Sequence, residues 1–190
     1  MSTPEYKKPP EEVDMDAQER AIRLWGTVSL VITVAAFVGA FYGLPNLFEF
    51  PADLADRLAF AALGSFFVVI WVLVGVGMVS TGRRMSPEDI GGSAAGPPSD
   101  RLAIKSAFLQ NSLEQAVLAA SFYAALAAVA GGPWLSLIVA GVVLFAVGRV
   151  WFYLGYRGGA KGRAPGMTLT MTPTMVGYIV VIVLFVMELL

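Results

Sequence analysis

Two ionisable residues, Glu114 and Arg149, sit inside otherwise apolar stretches of the chain. A charge at membrane depth costs several kcal/mol unless it is paired, so each is a functional candidate by position alone. The two lie at nearly equal distances before and after Gly132, a turn residue between their stretches. At about 1.5 Å per helical residue they reach similar depth in an antiparallel helix pair, where a buried ion pair is expected. Asn111 stands one turn before Glu114, while Phe152, Tyr153 and Tyr156 follow Arg149 at i+3, i+4 and i+7. The segment from Arg157 to Gly166 adds Arg157, Lys161 and Arg163 among glycines and is expected to be a loop. The set predicts a polar pocket suited to an anionic ligand. Two plainer readings stand beside it: a buried Glu–Arg pair with an Asn can simply lock helix packing, and a basic loop can simply contact lipid headgroups. The glycine-rich segment is not a phosphate-binding loop, because the Lys-Ser/Thr ending is absent.

Composition narrows the chemistry further. The 190 residues are 57% hydrophobic and 14% charged, against about 25% charged in an ordinary soluble domain. Net charge is -1, so no global field attracts nucleic acid, and no nucleic-acid partner is expected. The chain holds no Cys and no His. Disulfides, thiolate metal sites, His-ligated haem or zinc and His-based triads are thereby excluded, and no metal is expected.

The elements that must position these residues are membrane helices. A bilayer core needs about 20 apolar residues in helical form, and such runs occupy Ala21–Leu44, Leu58–Ser80, Phe108–Ala130, Trp134–Tyr156 and Met171–Leu190. The fold class is therefore all-α and integral to the membrane. The polar prefix 1–20 is expected to be disordered and cytoplasmic, and the run after it a retained anchor, since the basic start of a signal peptide is lacking. With the amino terminus inside, every one of the 13 Lys and Arg residues except Arg57 falls on the cytoplasmic side, Arg83 and Arg84 included. The outer connection instead carries Glu49, Asp53 and Asp56. The connection 81–100 reads as a flexible cytoplasmic loop, and Gly131-Gly132-Pro133 as a turn so short that helices three and four should be antiparallel neighbours. The alanines of helix three mark it as the most buried.

Two segments resemble the membrane-associated proteins of eicosanoid and glutathione metabolism, the MAPEG family. Gln110-Asn111-Ser112-Leu113-Glu114-Gln115 is similar to that family's Asn-x-x-Glu signature. Arg149-Val150-Trp151-Phe152-Tyr153-Leu154-Gly155-Tyr156, with Arg163 following, is similar to its Arg-x-x-Tyr-x-x-Gly-Tyr pattern. The resemblance implies a four-helix bundle over 58–190, with helices at about 58–80, 105–130, 134–156 and 171–190, and makes 21–44 an added helix. It implies a homotrimer that binds glutathione between subunits near the cytoplasmic face and meets a lipophilic cosubstrate from the lipid side. Arg163 would hold the sulfur as thiolate. Asn111, Glu114, Arg149 and Tyr156 would hold the peptide, with Tyr153 beside them, and Arg83 or Arg84 would meet a carboxylate. A thiol pKa of about 8.5 must fall by about two units, roughly 2.7 kcal/mol, for substantial ionisation at neutral pH, which one guanidinium in a partly desolvated site can supply.

Two positions depart from the pattern: Ala107 stands where many of these enzymes carry Arg, with Lys105 the nearest cation, and Phe152 stands where leukotriene-C synthase has Tyr. The expected function is glutathione conjugation to lipophilic electrophiles or reduction of lipid hydroperoxides. The family also includes a lipoxygenase-activating protein that binds lipid without catalysis, so a non-catalytic lipid-binding or accessory subunit is the alternative. A small transporter using Glu114 as proton carrier is the third. The expected location is that of a multi-pass membrane protein with a cytoplasmic amino terminus, which is the inner membrane if the source is bacterial.

Overall fold

The computed structural model of the protein describes residues 14–190. They form α1 (Met15–Gly43), α2 (Leu54–Arg84), α3 (Asp100–Val129), α4 (Ser136–Gly155) and α5 (Gly159–Leu189). Three starts carry side-chain caps that satisfy otherwise orphaned N–H groups. Asp14 accepts from Ala17 N at 2.9 Å, Asp53 from Ala55 N at 2.8 Å, and Ser99 Oγ from Leu102 N at 3.3 Å. These caps sit in polar flanks, so α1 to α3 run beyond the apolar stretches. Of the expected disordered prefix, residues 15–20 are helical and 1–13 lie outside the described residues.

The protein is integral to the membrane. α1, α2, α3 and the stretch Gly132–Leu189 are each long and apolar enough to cross a bilayer. That last stretch has 58 residues, about 87 Å if straight against a hydrocarbon core of about 30 Å. It folds back at Tyr156–Gly158, where Gly159 takes φ +69°, a backbone conformation that glycine adopts without steric cost. α4 and α5 are the two arms.

Paired contacts define the arrangement. α2 packs antiparallel on α3, where Gly75 meets Leu109 and Gly82 meets Lys105. α4 packs antiparallel on α5, where Gly148 meets Thr170 and Gly155 meets Gly162. α3 also runs beside α5, and α2 beside α4, so the four close a ring in the order α2, α3, α5, α4. α3 and α4 are therefore diagonal rather than adjacent, which corrects the expectation drawn from their short connection. Glycine faces on α4 and α5 allow a closer approach than α4 and α3 could make, and that contact decides the pairing. α4, packed by α2, α5 and α1, is also more thoroughly buried than α3.

α1 lies outside the ring, against α5 and α4. Its buried residues Ser29, Thr33, Phe37 and Ala40 recur at helical spacing and form one face. α5 begins at Gly159 rather than near 171, so the expected basic loop is instead the first turns of a helix. Close packing on α4 holds it there despite its glycines. The connection between α2 and α3 is likewise pinned rather than free: Asp89 accepts from Ser99 N at 2.8 Å and Ser99 Oγ at 2.7 Å, and Arg83 donates to Ser93 Oγ at 2.8 Å.

Candidate functional site

Arg149 is the largest fully buried side chain among the described residues. Its Nη1 donates to Asn111 Oδ1 at 2.7 Å, across the diagonal from α4 to α3. Its Nε donates to Thr170 Oγ1 of α5 at 3.2 Å, and the Thr170 hydroxyl donates in turn to Gly166 O at 2.8 Å. The guanidinium also lies over Phe152 at 4.7 Å and Phe145 at 5.6 Å from the ring centroids. Nη2 has no hydrogen-bond partner among the described residues.

Among the described residues no carboxylate pairs with Arg149. Among the described residues the one ion pair is Arg23–Glu19, on the exposed surface of α1. The expected Glu114–Arg149 pair does not form, because Glu114 projects from the exposed face of α3 and accepts from Gln110 Nε2 at 2.9 Å. Three residues apart, Asn111 and Glu114 differ by about 60° in direction around α3, and the rotation of that helix leaves Asn111 half-buried toward Arg149 and Glu114 exposed.

The remaining predicted residues gather where α4 turns into α5. Tyr156 packs edge-on against Phe152, and the Arg163 guanidinium lies 5.2 Å from the Tyr156 ring centroid. Tyr153 packs edge-on against Phe108 of α3. Asn111, Tyr153, Tyr156 and Arg163 are all half-buried, so each has a side open to a ligand or to a neighbour. Arg83 is bound to Ser93 and Arg84 is exposed at the end of α2. Among the described residues neither hydrogen-bonds to the Arg149 cluster.

The structure thus joins Arg149 to Asn111, stacks Arg163 on Tyr156, and leaves Glu114, Arg83 and Arg84 apart from them in the single chain. Sequence reasoning missed Thr170, which anchors Arg149 from α5. Its signal was the alternating Thr168, Thr170, Thr172 and Thr174 run, hidden because helix five was expected to start at Met171.

The larger hollows on the chain lie elsewhere. One of about 660 Å³ opens between the ends of α2 and α3, lined by residues including Met85, Asp89, Arg101 and Lys105. Two apolar ones follow the α2–α4 groove, past Phe60, Phe67 and Val143 and then Trp71, Val147 and Trp151. No described group of residues forms a metal-binding cluster.

A model of the MAPEG family matches residues 58–185, most of the chain and all of the ring α2 to α5 except its ends. Neither a curated protein nor a solved structure matches the chain.

Proposed function

The chain belongs to the MAPEG family, and we propose that it acts there as a homotrimeric, glutathione-dependent enzyme of the membrane. On this reading it conjugates glutathione to lipophilic electrophiles or reduces lipid hydroperoxides. The observation that carries the proposal is Arg163, stacked on Tyr156 and, among the described residues, paired to no carboxylate. A guanidinium that is half-buried and uncommitted favours the anionic form of whatever approaches it. Here that would be the glutathione sulfur, held as thiolate.

The other roles follow from exposure. Glutathione offers two carboxylates, an amine and a thiol, and the accessible groups Arg84, Glu114 and Arg163 complement them in charge. Asn111, Tyr153 and Tyr156 would make the polar contacts. Arg149 is sealed from solvent and would act through Asn111, fixing the direction of its amide, while Arg83 would serve only after leaving Ser93.

Assembly would complete the site. Glu114 and Gln110 point away from the bundle at membrane depth, on a face continued by Val117, Ser121, Ala124 and Ala128. A carboxylate turned toward lipid is costly, and small residues suit close helix contact. That face would lie against a neighbouring copy, bringing groups of two chains together, with the end that carries Arg163 in the cytoplasm as the Lys and Arg bias requires. The apolar α2–α4 groove would accommodate the lipophilic partner.

A titration of detergent-purified protein with glutathione, following thiolate absorbance in the ultraviolet, tests the reading. Thiolate should form at neutral pH in the parent protein and be lost in Arg163→Ala, with glutathione affinity largely kept. Phe152, buried beneath Arg149, favours a second reading in which the fold binds lipid without catalysis, since it offers no hydroxyl at that place. Absence of any thiolate signal from the parent protein selects that alternative.

A further inference from the structure

We propose that α1, which lies outside the family-matched region, positions the Arg163 turn, and that Gln18 does so by capping the start of α5. Gln18 Oε1 accepts from Lys161 N at 2.6 Å. The first N–H groups of any helix lack partners within it, and the residue preceding α5, Gly158, supplies no side-chain cap. Gln18 fills that role from a helix more than a hundred residues away.

The first turns of α5 need such help. Gly159 and Gly162 favour unfolding of a helix end, and Pro165 has no N–H with which to bond the carbonyl of Lys161. Arg163 sits between them. Two further ties bind α1 to the same hairpin. Thr168 Oγ1 lies 2.8 Å from Ser29 Oγ and 3.2 Å from Trp25 O. Trp25 also packs edge-on against Trp151 of α4, with ring centroids 5.2 Å apart. Both arms of the turn that stacks Arg163 on Tyr156 are thus held by α1. Loss of the cap would let that turn open and carry the guanidinium off the site, making Gln18 a positioning residue that touches no substrate.

The inference about Arg163 chemistry rests on the glutathione reading, whereas the capping itself does not, and the test separates them. Full-length Gln18→Ala and Gln18→Glu are compared with the parent by amide hydrogen exchange over 159–163 and by thiolate absorbance with glutathione. Asp53→Ala, which removes a cap at the opposite end of the bundle, controls for general destabilisation. Exchange over 159–163 should rise about fivefold in Gln18→Ala, the effect of losing a typical helix cap. It should return to the parent value in Gln18→Glu, whose carboxylate accepts the same N–H and suits a helix amino terminus. Thiolate formation should fall in Gln18→Ala alone, with the glutathione half-saturation point unchanged.

Unchanged exchange in Gln18→Ala overturns the proposal, whether or not glutathione binds. Faster exchange with undiminished thiolate overturns the link from Gln18 to Arg163. Faster exchange in a protein whose parent form gives no thiolate leaves the capping standing and removes the glutathione reading instead.

Discussion

Arg149 of α4 and Asn111 of α3, 38 residues apart in sequence, are joined by a 2.7 Å hydrogen bond across the diagonal of the helix ring. The bond adds a polar tie to the side-chain contacts that α3 and α4 make across that diagonal, Tyr123 against Gly141 and Phe108 against Tyr153. It also leaves a guanidinium in the bundle that, among the described residues, is held by an amide, a hydroxyl and two aromatic faces. Such a group holds its neighbours in place because each bond it loses leaves one more buried N–H without a partner.

Asn111→Leu should therefore destabilise the protein by about 2 kcal/mol, the range for a hydrogen bond to a buried charge. Removing the charge as well, in Asn111→Leu with Arg149→Met, should recover much of that loss, because apolar replacement of a whole buried polar set is often nearly neutral. Thermal unfolding in detergent micelles measures both. A double variant as unstable as the summed singles would mean that the two side chains act independently.

The backbone approach of α4 and α5 at Gly155 and Gly162 gives a second expectation. A methyl at either glycine would run into the other's carbonyl group. Gly155→Ala and Gly162→Ala should each cost about 1–3 kcal/mol, the usual range for overpacking, and Gly162→Ala should also displace the adjacent Arg163. Gly158→Ala is the control, since nothing lies within 4 Å of the added carbon and its φ is -80°. Equal melting temperatures for all three would contradict the close approach.

The spans were legible because an uninterrupted apolar run of bilayer length has few other uses. Their pairing was not. Loop length speaks only of the ends of two helices, and the short turn at Gly131–Pro133 is compatible with diagonal as well as adjacent placement. The partner of Arg149 was hidden for a related reason, since Asn111 and Glu114 are one turn apart and the choice between them depends on the rotation of α3. Gln18 falls in a polar stretch whose composition reads as disorder, and Lys161 in a glycine-rich stretch that reads as a loop. The contact that orders both segments joins distant parts of the chain, which local composition does not reveal.

Asp89 supplies a pH dependence. The Ser99 backbone N–H holds its carboxyl below the ordinary range, with smaller contributions from the Ser99 and Ser86 hydroxyls and the charge of Arg83. A folded-state value depressed below the unfolded one, about 3.9, stabilises the structure above that unfolded value. The contribution is lost as pH falls through the depressed folded value. The clamp between α2 and α3 should stay shut at neutral pH and open only in strong acid. Pepsin cleavage between Ser86 and Pro98 should accelerate as pH falls below about 4, beyond the protease's own pH profile on an unstructured peptide. Asp89→Asn should remove that additional dependence, and identical profiles for the two proteins would refute it.

The exposed face of α3 carries the assembly argument. Gln110, Glu114, Ser121, Ala124 and Ala128 share it, and membrane lipid is a poor solvent for the first two. If a neighbouring copy covers the face, a cysteine at Ser121 should be captured by a short thiol-reactive crosslinker, giving covalent oligomers from protein in native-like bilayers. The chain has no Cys of its own, so the new thiol is the sole reactive site. A cysteine at Leu154, on the exposed side of α4, should react with a monovalent label yet give few crosslinks, because the proposed contact does not include that side. Glu114→Leu should keep the fold, since among the described residues the carboxylate bonds only to Gln110. The same substitution should weaken glutathione binding by about tenfold, from loss of one charge-assisted contact. Crosslinking at Leu154 but not at Ser121 would place the neighbour against the other side of the bundle and take Glu114 out of any shared site.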